Sequence, residues 1–175
     1  RSYNLKPVGL TNGPVLNDDD YFANFRLEYM VEGTWGQFDQ FTSARGATSG
    51  TLVGISYNTV NSDDAFDGDS TLIVDAQLQF GGSNLYISYT DFSDDDGAAA
   101  DWNETQIMYG MYLDDEWEVY ARYVDDDRWD DDVLSIGVNN YWAGQNARWT
   151  TEITWDDHAV GTDTTVISSQ LQFYF

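Results

Sequence analysis

The stretch "ARWTTEITW" (residues 147–155) alternates strictly between two kinds of side chain. One set carries most of the apolar surface and comprises Ala147, Trp149, Thr151, Ile153 and Trp155. The other set is polar and comprises Arg148, Thr150, Glu152 and Thr154. Successive side chains of a β-strand point to opposite faces of the sheet, so this spacing predicts a strand with one apolar and one polar face.

The same period-two pattern returns in eight further stretches between residue 21 and the C-terminus. They are "YFANFRLEYMV" (21–31), "TLVGISYNTV" (51–60), "TLIVDAQLQF" (71–80), "NLYISYTDF" (84–92), "QIMYGMYL" (106–113), "WEVYARYV" (117–124), "VLSIGVNNYW" (133–142) and "VISSQLQFYF" (166–175). A tilted strand crosses a bilayer in about 9–11 residues, and these stretches are close to that length. The sequence therefore predicts an all-β protein of about nine strands.

The connections between these stretches alternate between two types. Three are tight turns: "GGSN" (81–84), "DDE" (114–116) and "AGQN" (143–146). Four are longer and acidic: "NSDDAFDGDS" (61–70), "SDDDGAAADWN" (93–103), "DDDRWDDD" (125–132) and "DDHAVGTD" (156–163). Short turns on one side and long polar loops on the other are typical of an antiparallel up-and-down transmembrane β-barrel of the outer membrane.

Aromatic residues cluster near the predicted strand ends, where a membrane interface favours them. They are Phe80, Trp117, Trp142, Trp149, Trp155 and Phe175. The terminal residue Phe175 shares its face with Phe173 and Leu171, as expected for a closing strand that ends at the interface.

Composition excludes several classes of protein. The formal net charge is -24, from 31 acidic and 7 basic residues, which argues against nucleic-acid binding. The chain has no cysteine, which removes disulfides and thiol chemistry, and its single His158 lies in a loop-like stretch unsuited to a histidine-based zinc site. No apolar run reaches the roughly 18 residues of a transmembrane helix.

Strand counting predicts that the barrel is not whole. If the short turns are periplasmic, the strand at 21–31 runs inward from an extracellular segment, 1–20. Bacterial barrels have an even number of strands and periplasmic termini. We therefore expect residues 21–175 to be the C-terminal part of a barrel whose N-terminal part is missing. The segment 35–50 is long for a periplasmic turn and leaves room for an irregular tenth strand or a small periplasmic element.

Several stretches resemble the C-terminal half of the phosphate-selective porin O and P family, especially its planctomycete-type members. They are "FRLEYMVEGTWGQFDQFTS" (25–43), "LVGISY" (52–57), "LQFGGSNLYISY" (78–89), "WEVYARY" (117–123), "IGVNNYWAGQNARWTTEITW" (136–155) and "SSQLQFYF" (168–175). The resemblance implies a sixteen-stranded, homotrimeric porin in the outer membrane of a Gram-negative-type bacterium, in contact with lipid and lipopolysaccharide. It also implies that Phe175, with Phe173 and Leu171, forms the signal read by the barrel-assembly machinery.

The polar faces predict which residues line a pore. These are Arg26, Glu28, Asp75, Glu118, Tyr120, Arg122, Arg148 and Glu152. Phosphate selectivity in the family rests on ladders of arginine and lysine, whereas here acidic residues outnumber basic ones. Acidic surroundings repel anions and gather cations. We expect a non-enzymatic pore for small hydrophilic solutes and ions, general or mildly cation-favouring, and do not extend phosphate binding to this chain.

Three further interpretations follow from the same residues. Clustered carboxylates suit Ca²⁺, and Asp64, Asp67 and Asp69 are the candidate ligands; acidic loops that are simply solvated are the alternative explanation. A small closed barrel of eight to ten strands would be filled by side chains and act as a structural anchor or adhesin. A soluble jelly-roll glycoside hydrolase would use two carboxylates, Glu28 with Glu118 or Glu152, across a cleft.

Overall fold

The computed structural model describes residues 21–61, 69–94, 101–128, 130–144, 146–158 and 161–173. These residues form nine β-strands and one short 3-10 helix. The strands are β1 (Tyr21–Glu32), β2 (Gly50–Asn61), β3 (Ser70–Gln79), β4 (Ser83–Ser93), β5 (Trp102–Tyr112), β6 (Trp117–Asp126), β7 (Asp131–Tyr141), β8 (Ala147–His158) and β9 (Thr164–Phe173). The 3-10 helix (Trp35–Phe38) follows β1.

All nine strands belong to one antiparallel sheet in which each strand pairs with its neighbours in sequence. This confirms the predicted number of strands and the up-and-down order. The sheet is open, because β1 and β9 are its two edges and are not paired with each other in the described ranges. Among the described residues, no helix has the length and apolar character needed to cross a membrane.

The predicted alternation of faces is also confirmed. We call the side that carries Ile55, Ile107 and Ile136 the apolar face, and these side chains are exposed. We call the side that carries Ser56 and Gln79 the polar face, and these side chains are buried. Within the described ranges the nine strands form one sheet, and no second sheet covers either face.

The strands run further into the acidic segments than the sequence predicts. β6 and β7 are separated only by residues 127–130, and their pairing continues to Asp126 opposite Asp131. His158 is the last residue of β8 and pairs with Asp131, so it does not lie in a loop. Aspartate has a low strand propensity. The neighbouring strand nevertheless supplies the backbone hydrogen bonds of the sheet, and this pairing outweighs the local propensity.

The segment between β1 and β2 contains no tenth strand. From the 3-10 helix onward, the chain lies over the polar face, where it is bonded to Gln77, Gln79 and Asn84, and returns at Gly50 to begin β2. We call residues 37–47 the folded-back segment. Of the two alternatives for residues 35–50, the tenth strand is wrong, and the periplasmic location of the segment stays a prediction.

Candidate functional site

The eight residues predicted to line a pore all lie on the polar face, as the register of paired residues shows. They fall into two groups. The first contains Arg26, Glu28 and Asp75, on β1 and β3. The second contains Glu118, Tyr120, Arg122, Arg148 and Glu152, on β6 and β8.

Arg26 is the centre of the first group. Its guanidinium donates from Nη1 to Asp75 Oδ2 at 2.8 Å and from Nη2 to Asp75 Oδ1 at 3.0 Å. Its Nε donates to Glu28 Oε1 at 2.9 Å. This bidentate pair with a third bond fixes the arginine side chain against the sheet.

Arg26 and Asp75 meet although β2 lies between their strands. The polar-face residue of β2 at this point is Gly54, which pairs with Asp75. A Cβ atom at position 54 would lie 2.5 Å from Arg26 Nη2 and 2.8 Å from Asp75 Oδ2. The missing side chain therefore leaves the space through which the two charged groups bond.

The second group repeats this arrangement on β6, β7 and β8. Tyr120 Oη donates to Glu152 Oε2 at 2.8 Å, across Gly137 of β7. A Cβ atom at position 137 would lie 2.3 Å from Tyr120 Cζ, so the tyrosine ring lies directly on the glycine. Arg122 Nη2 approaches Glu152 Oε1 at 3.9 Å and donates to Ser135 Oγ at 3.3 Å.

Arg148 has a different partner from those of the other arginines. Its Nη2 donates to Gln172 Oε1 on β9 at 2.5 Å. The charged residues of the second group are thus joined across strands, as expected for residues too far apart to pair within one strand.

Glu118 is buried on the polar face and accepts three hydrogen bonds from neutral donors. Tyr141 Oη donates to Oε2 at 2.6 Å and Asn139 Nδ2 donates to the same oxygen at 2.9 Å. Thr42 Oγ1, from the folded-back segment, donates to Oε1 at 2.8 Å. Glu118 therefore links the strand wall to the segment that crosses it.

Side-chain amides of β3 and β4 hold the backbone of the folded-back segment. Gln77 Nε2 donates to Gln40 O at 2.8 Å. Gln79 Nε2 donates to Gln37 O at 2.9 Å and to Thr42 O at 3.2 Å. The segment thus lies over strands of the sheet with its carbonyl groups satisfied by the wall.

Two further contacts fix the middle of the segment. Asn84 Nδ2 donates to Phe41 O at 2.6 Å, and the Phe41 ring meets the Tyr86 ring edge-on with centroids 5.0 Å apart. The backbone N–H of Gly81 donates to Ser43 Oγ at 3.2 Å, which ties the segment to the β3–β4 turn.

A cavity of about 330 Å³ lies between the folded-back segment and the second group of charged residues. Gln40, Phe41 and Thr42 form its side toward the segment. The wall side includes Glu118, Tyr120, Arg122, Arg148 and Glu152. The structure thus brings five of the eight predicted residues around one space and keeps the Arg26 group apart from it.

At the opposite end of the sheet, His158 lies between two carboxylates. Its Nδ1 is 2.9 Å from Asp131 Oδ2 and its Nε2 is 3.4 Å from Asp156 Oδ2. The hydrogen bond with Asp131, reinforced by the charges of nearby carboxylates, raises the pKa of His158 above its usual value. In this arrangement the imidazole itself occupies the space between the two carboxylates.

Other predicted site residues are only partly described. Asp64, Asp67 and Phe175 lie outside the described residues, so the calcium site and the terminal aromatic stay predictions. Asp69 is described, and its backbone oxygen accepts a hydrogen bond from Val60 N at 2.9 Å. Leu171 and Phe173 are exposed on the edge strand β9, on one face as predicted.

The sequence analysis missed the glycines and amides that organise this face. Gly54 and Gly137 stand at polar-face positions of otherwise regular strands, which is a readable signal of close approach by a neighbouring side chain. Gln79 and Asn84 gave no such signal, because their partners are backbone atoms about forty residues away in the chain.

Comparisons of the chain with models of known protein families, with curated proteins and with solved structures found no match.

Proposed function

We propose that this chain forms part of the wall of an outer-membrane β-barrel pore, through which small hydrophilic solutes and ions diffuse. The apolar face would contact lipid and the polar face would line the water-filled interior. The pore would be general or mildly cation-favouring. It would catalyse no reaction.

One observation carries this proposal: the exposed face of a single sheet is apolar. Side chains such as Ile136 (49% exposed), Trp155 (40%) and Leu171 (56%) face outward. Large contiguous apolar surfaces on a protein mark contact with another protein or with a membrane. Lipid fits best, because the apolar side chains extend along all nine strands, each long enough to cross a bilayer when tilted.

The open edges agree with a larger barrel. In an antiparallel sheet of nine strands, β1 and β9 run in the same direction, so they would pair in parallel if the sheet closed on itself. In a bilayer every backbone group must be paired, which leaves no free strand edge. Antiparallel closure therefore requires an odd number of further strands, and the expected N-terminal part of the barrel would supply them.

The charges of the polar face support weak selectivity. The eight predicted residues include three arginines and four carboxylates, and most of these are joined in ion pairs or hydrogen bonds. Paired charges produce little net field inside a pore, while the acidic segments at its mouth attract cations. This favours a modest preference for cations over anions.

The decisive experiment is current recording with the detergent-extracted protein in planar lipid bilayers under a salt gradient. We expect discrete channels whose reversal potential indicates a preference for K⁺ over Cl⁻. A reversal potential of the opposite sign would refute the cation preference. Glu152→Gln removes one carboxylate of the polar face and should reduce the preference, whereas Thr151→Val, the adjacent residue on the apolar face, should not change it.

A structural anchor without conduction is the second candidate. The folded-back segment favours it, because this segment occupies part of the polar face. A protein that inserts into bilayers and shows no channels would identify this role in place of a pore.

A further inference from the structure

We infer that the cavity between the folded-back segment and the sheet binds a small zwitterion, a molecule with a primary ammonium group and a carboxylate group, such as a free amino acid. The ammonium group would lie above Gly110 of β5, between Asn84 Oδ1 and Glu118 Oε1. The carboxylate group would lie at the arginines of the same cavity, Arg122 and Arg148. The site is formed by the segment and the sheet alone, so it does not depend on whether the sheet lines a pore.

Gly110 is another polar-face glycine over which side chains of neighbouring strands meet. At Gly54 the meeting groups are a bonded arginine and aspartate, and at Gly137 the tyrosine donates to a glutamate. At Gly110 both groups are acceptors, because a Cβ atom there would lie 2.6 Å from Asn84 Oδ1 and 3.0 Å from Glu118 Oε1. Two acceptor oxygens cannot bond to each other, so a donor is needed between them.

Asn84 Oδ1 has no hydrogen-bond partner in the described part of the chain, although Asn84 is only 1% exposed. The orientation of this amide is fixed, because Nδ2 donates to Phe41 O at 2.6 Å. Reversal of the amide would place Oδ1 against this carbonyl oxygen and bring two acceptors together there. An unsatisfied buried acceptor is costly, so the site favours a ligand that donates to it.

Glu118 supplies a negative charge without a cationic partner. It is 2% exposed, and its hydrogen bonds come from the neutral side chains of Thr42, Asn139 and Tyr141. None of the ion pairs among the described residues includes it. Buried carboxylates are normally paired with a cation. We therefore expect the donor above Gly110 to be positively charged.

A primary ammonium group fits the two oxygens. It offers three N–H donors, and its bonds to carboxylate oxygens are about 2.7–2.9 Å long. The two oxygens are no further apart than the sum of their distances from the Cβ position, 2.6 and 3.0 Å, so one nitrogen can reach both. Glu118 Oε1 already accepts from Thr42 Oγ1 at 2.8 Å and has a second lone pair for this bond.

The cavity extends beyond this position and contains donors for the opposite charge. Its volume is about 330 Å³, which is more than an inorganic cation needs, and its lining includes Arg122 and Arg148. The Nε atom of each arginine is buried and has no hydrogen-bond partner among the described residues. Arginine N–H groups bind carboxylates through charge-assisted hydrogen bonds. A zwitterion thus satisfies both the unpartnered acceptor and the unpartnered donors of one cavity.

Isothermal titration calorimetry of the detergent-solubilised chain tests the ligand class with three probes of similar size. L-alanine carries both charged groups, propionate lacks the ammonium group and ethylamine lacks the carboxylate group. We expect L-alanine to bind and the other two probes to bind at least about tenfold more weakly, because each leaves buried polar atoms unsatisfied. Absence of L-alanine binding would overturn the inference. Equal affinity for L-alanine and either of the other probes would also overturn it.

Glu118→Gln removes the negative charge and introduces an amide that can itself donate to Asn84 Oδ1. We expect L-alanine to bind at least about tenfold more weakly to this variant, and no more tightly than propionate, because the site no longer recognises the ammonium group. Glu104→Gln is the matched control. Glu104 lies on the same face of β5 as Gly110, about 20 Å along the strand, and does not line the cavity. A Glu118→Gln variant that still prefers L-alanine to propionate would contradict the inference.

Gly110→Ala fills the space in front of the two oxygens, since the added Cβ atom lies 2.6 and 3.0 Å from them. L-alanine binding should be lost, whereas Gly36→Ala should bind as the parent does, because its Cβ atom meets nothing within 4 Å. Tryptophan fluorescence checks that each variant is folded, and Glu118→Gln decides the question if Gly110→Ala is not. Parent-like binding by folded Gly110→Ala would refute the site. None of these measurements involves conduction, so their failure would leave the pore proposal intact.

Discussion

The two faces of the sheet are built on the same strands but stabilised by different interactions. On the polar face, side chains such as Gln79, Asn84 and Glu118 are almost completely buried and hydrogen-bonded. On the apolar face, side chains such as Ile107 and Ile136 remain exposed. In a water-soluble domain this arrangement is reversed, because burial of apolar surface is the main driving force of folding.

The two faces differ in the kind of residue that is buried, and this difference indicates which interactions stabilise the sheet. Of the buried residues other than glycine in the described part, eleven are polar or charged and only Leu52 and Tyr141 are hydrophobic. The described part of the chain therefore has no apolar core of its own. Its polar face is specified by hydrogen bonds, and in the proposed pore a bilayer would supply the apolar environment for its apolar face.

The contrast between the faces is tested most directly by placing the same charge on each face at neighbouring positions of β5. Ile107 lies on the apolar face and Gln106 on the polar face. We expect Ile107→Arg to lower the free energy of unfolding in lipid by about 2–4 kcal/mol, as for an arginine near the middle of a bilayer. Gln106→Arg should lower it by less than about 1 kcal/mol, because water solvates the charge.

Urea unfolding of both variants in lipid vesicles, followed by tryptophan fluorescence, measures the two effects. Ile107→Leu is the control for altered packing and should stay within about 1.5 kcal/mol of the parent protein. Equal, small losses for both arginine variants would show that the apolar face is solvated by water. The lipid-facing assignment would then be wrong.

A second prediction concerns the contact between Gly137 and the Tyr120 ring on the polar face. Gly137→Ala would place a Cβ atom 2.3 Å from Tyr120 Cζ, so the ring must move and its hydrogen bond to Glu152 is disturbed. Overpacking of this kind costs about 1–3 kcal/mol of stability. Gly36→Ala is the matched control, because an added Cβ atom there meets nothing within 4 Å.

The double variant Gly137→Ala/Tyr120→Ala separates this clash from a general effect of alanine. If the tyrosine ring is the obstacle, the two substitutions are not additive, and the loss caused by Gly137→Ala shrinks when Tyr120 is absent. Additive losses would show that the glycine is needed for another reason. Unfolding in lipid vesicles is again the measurement.

The sequence predicted the regular parts of this structure better than the irregular parts. Alternation in stretches such as 147–155 predicted the nine strands, their faces and the tight turns, because strand period and turn residues are local properties. The eight residues lie on the predicted polar face for the same reason. Transmembrane character and conduction stay proposals, since the alternation is compatible with them and does not require them.

The partners of those residues were not predictable from local patterns. Tyr120 donates to Glu152 across an intervening strand, which depends on Gly137 and on the register of three strands. The folded-back segment shows no periodicity, and its anchors at Gln79 and Asn84 lie about forty residues away. The strand ends at Asp126 and His158 extend beyond the predicted ones because pairing with a neighbour outweighs the low strand propensity of aspartate.

The smallest effect is expected at the end of the sheet that carries His158, where the contrast between the faces disappears. Beyond Trp155, the apolar-face positions carry Asp157 and its paired residue Asp132, so this end lies outside the apolar band. The hydrogen bond with Asp131 and the charges of Asp131, Asp156 and Asp163 raise the pKa of His158 above its usual value of 6.5. The stabilisation is fully present below about pH 6.5 and is lost as the pH rises through the higher pKa of the folded state.

NMR titration of the single histidine measures this shift directly. We expect a midpoint above 6.5 in the parent protein. Asp131→Asn should lower the midpoint toward the usual value, because it removes the charge-assisted hydrogen bond at Nδ1. Asp132→Asn, the adjacent residue on the opposite face, should shift the midpoint far less, since its carboxylate bonds to Tyr123 Oη at 2.5 Å. If both variants shifted the midpoint equally, the general negative charge of this end would set the pKa of His158, and the specific contact with Asp131 would not.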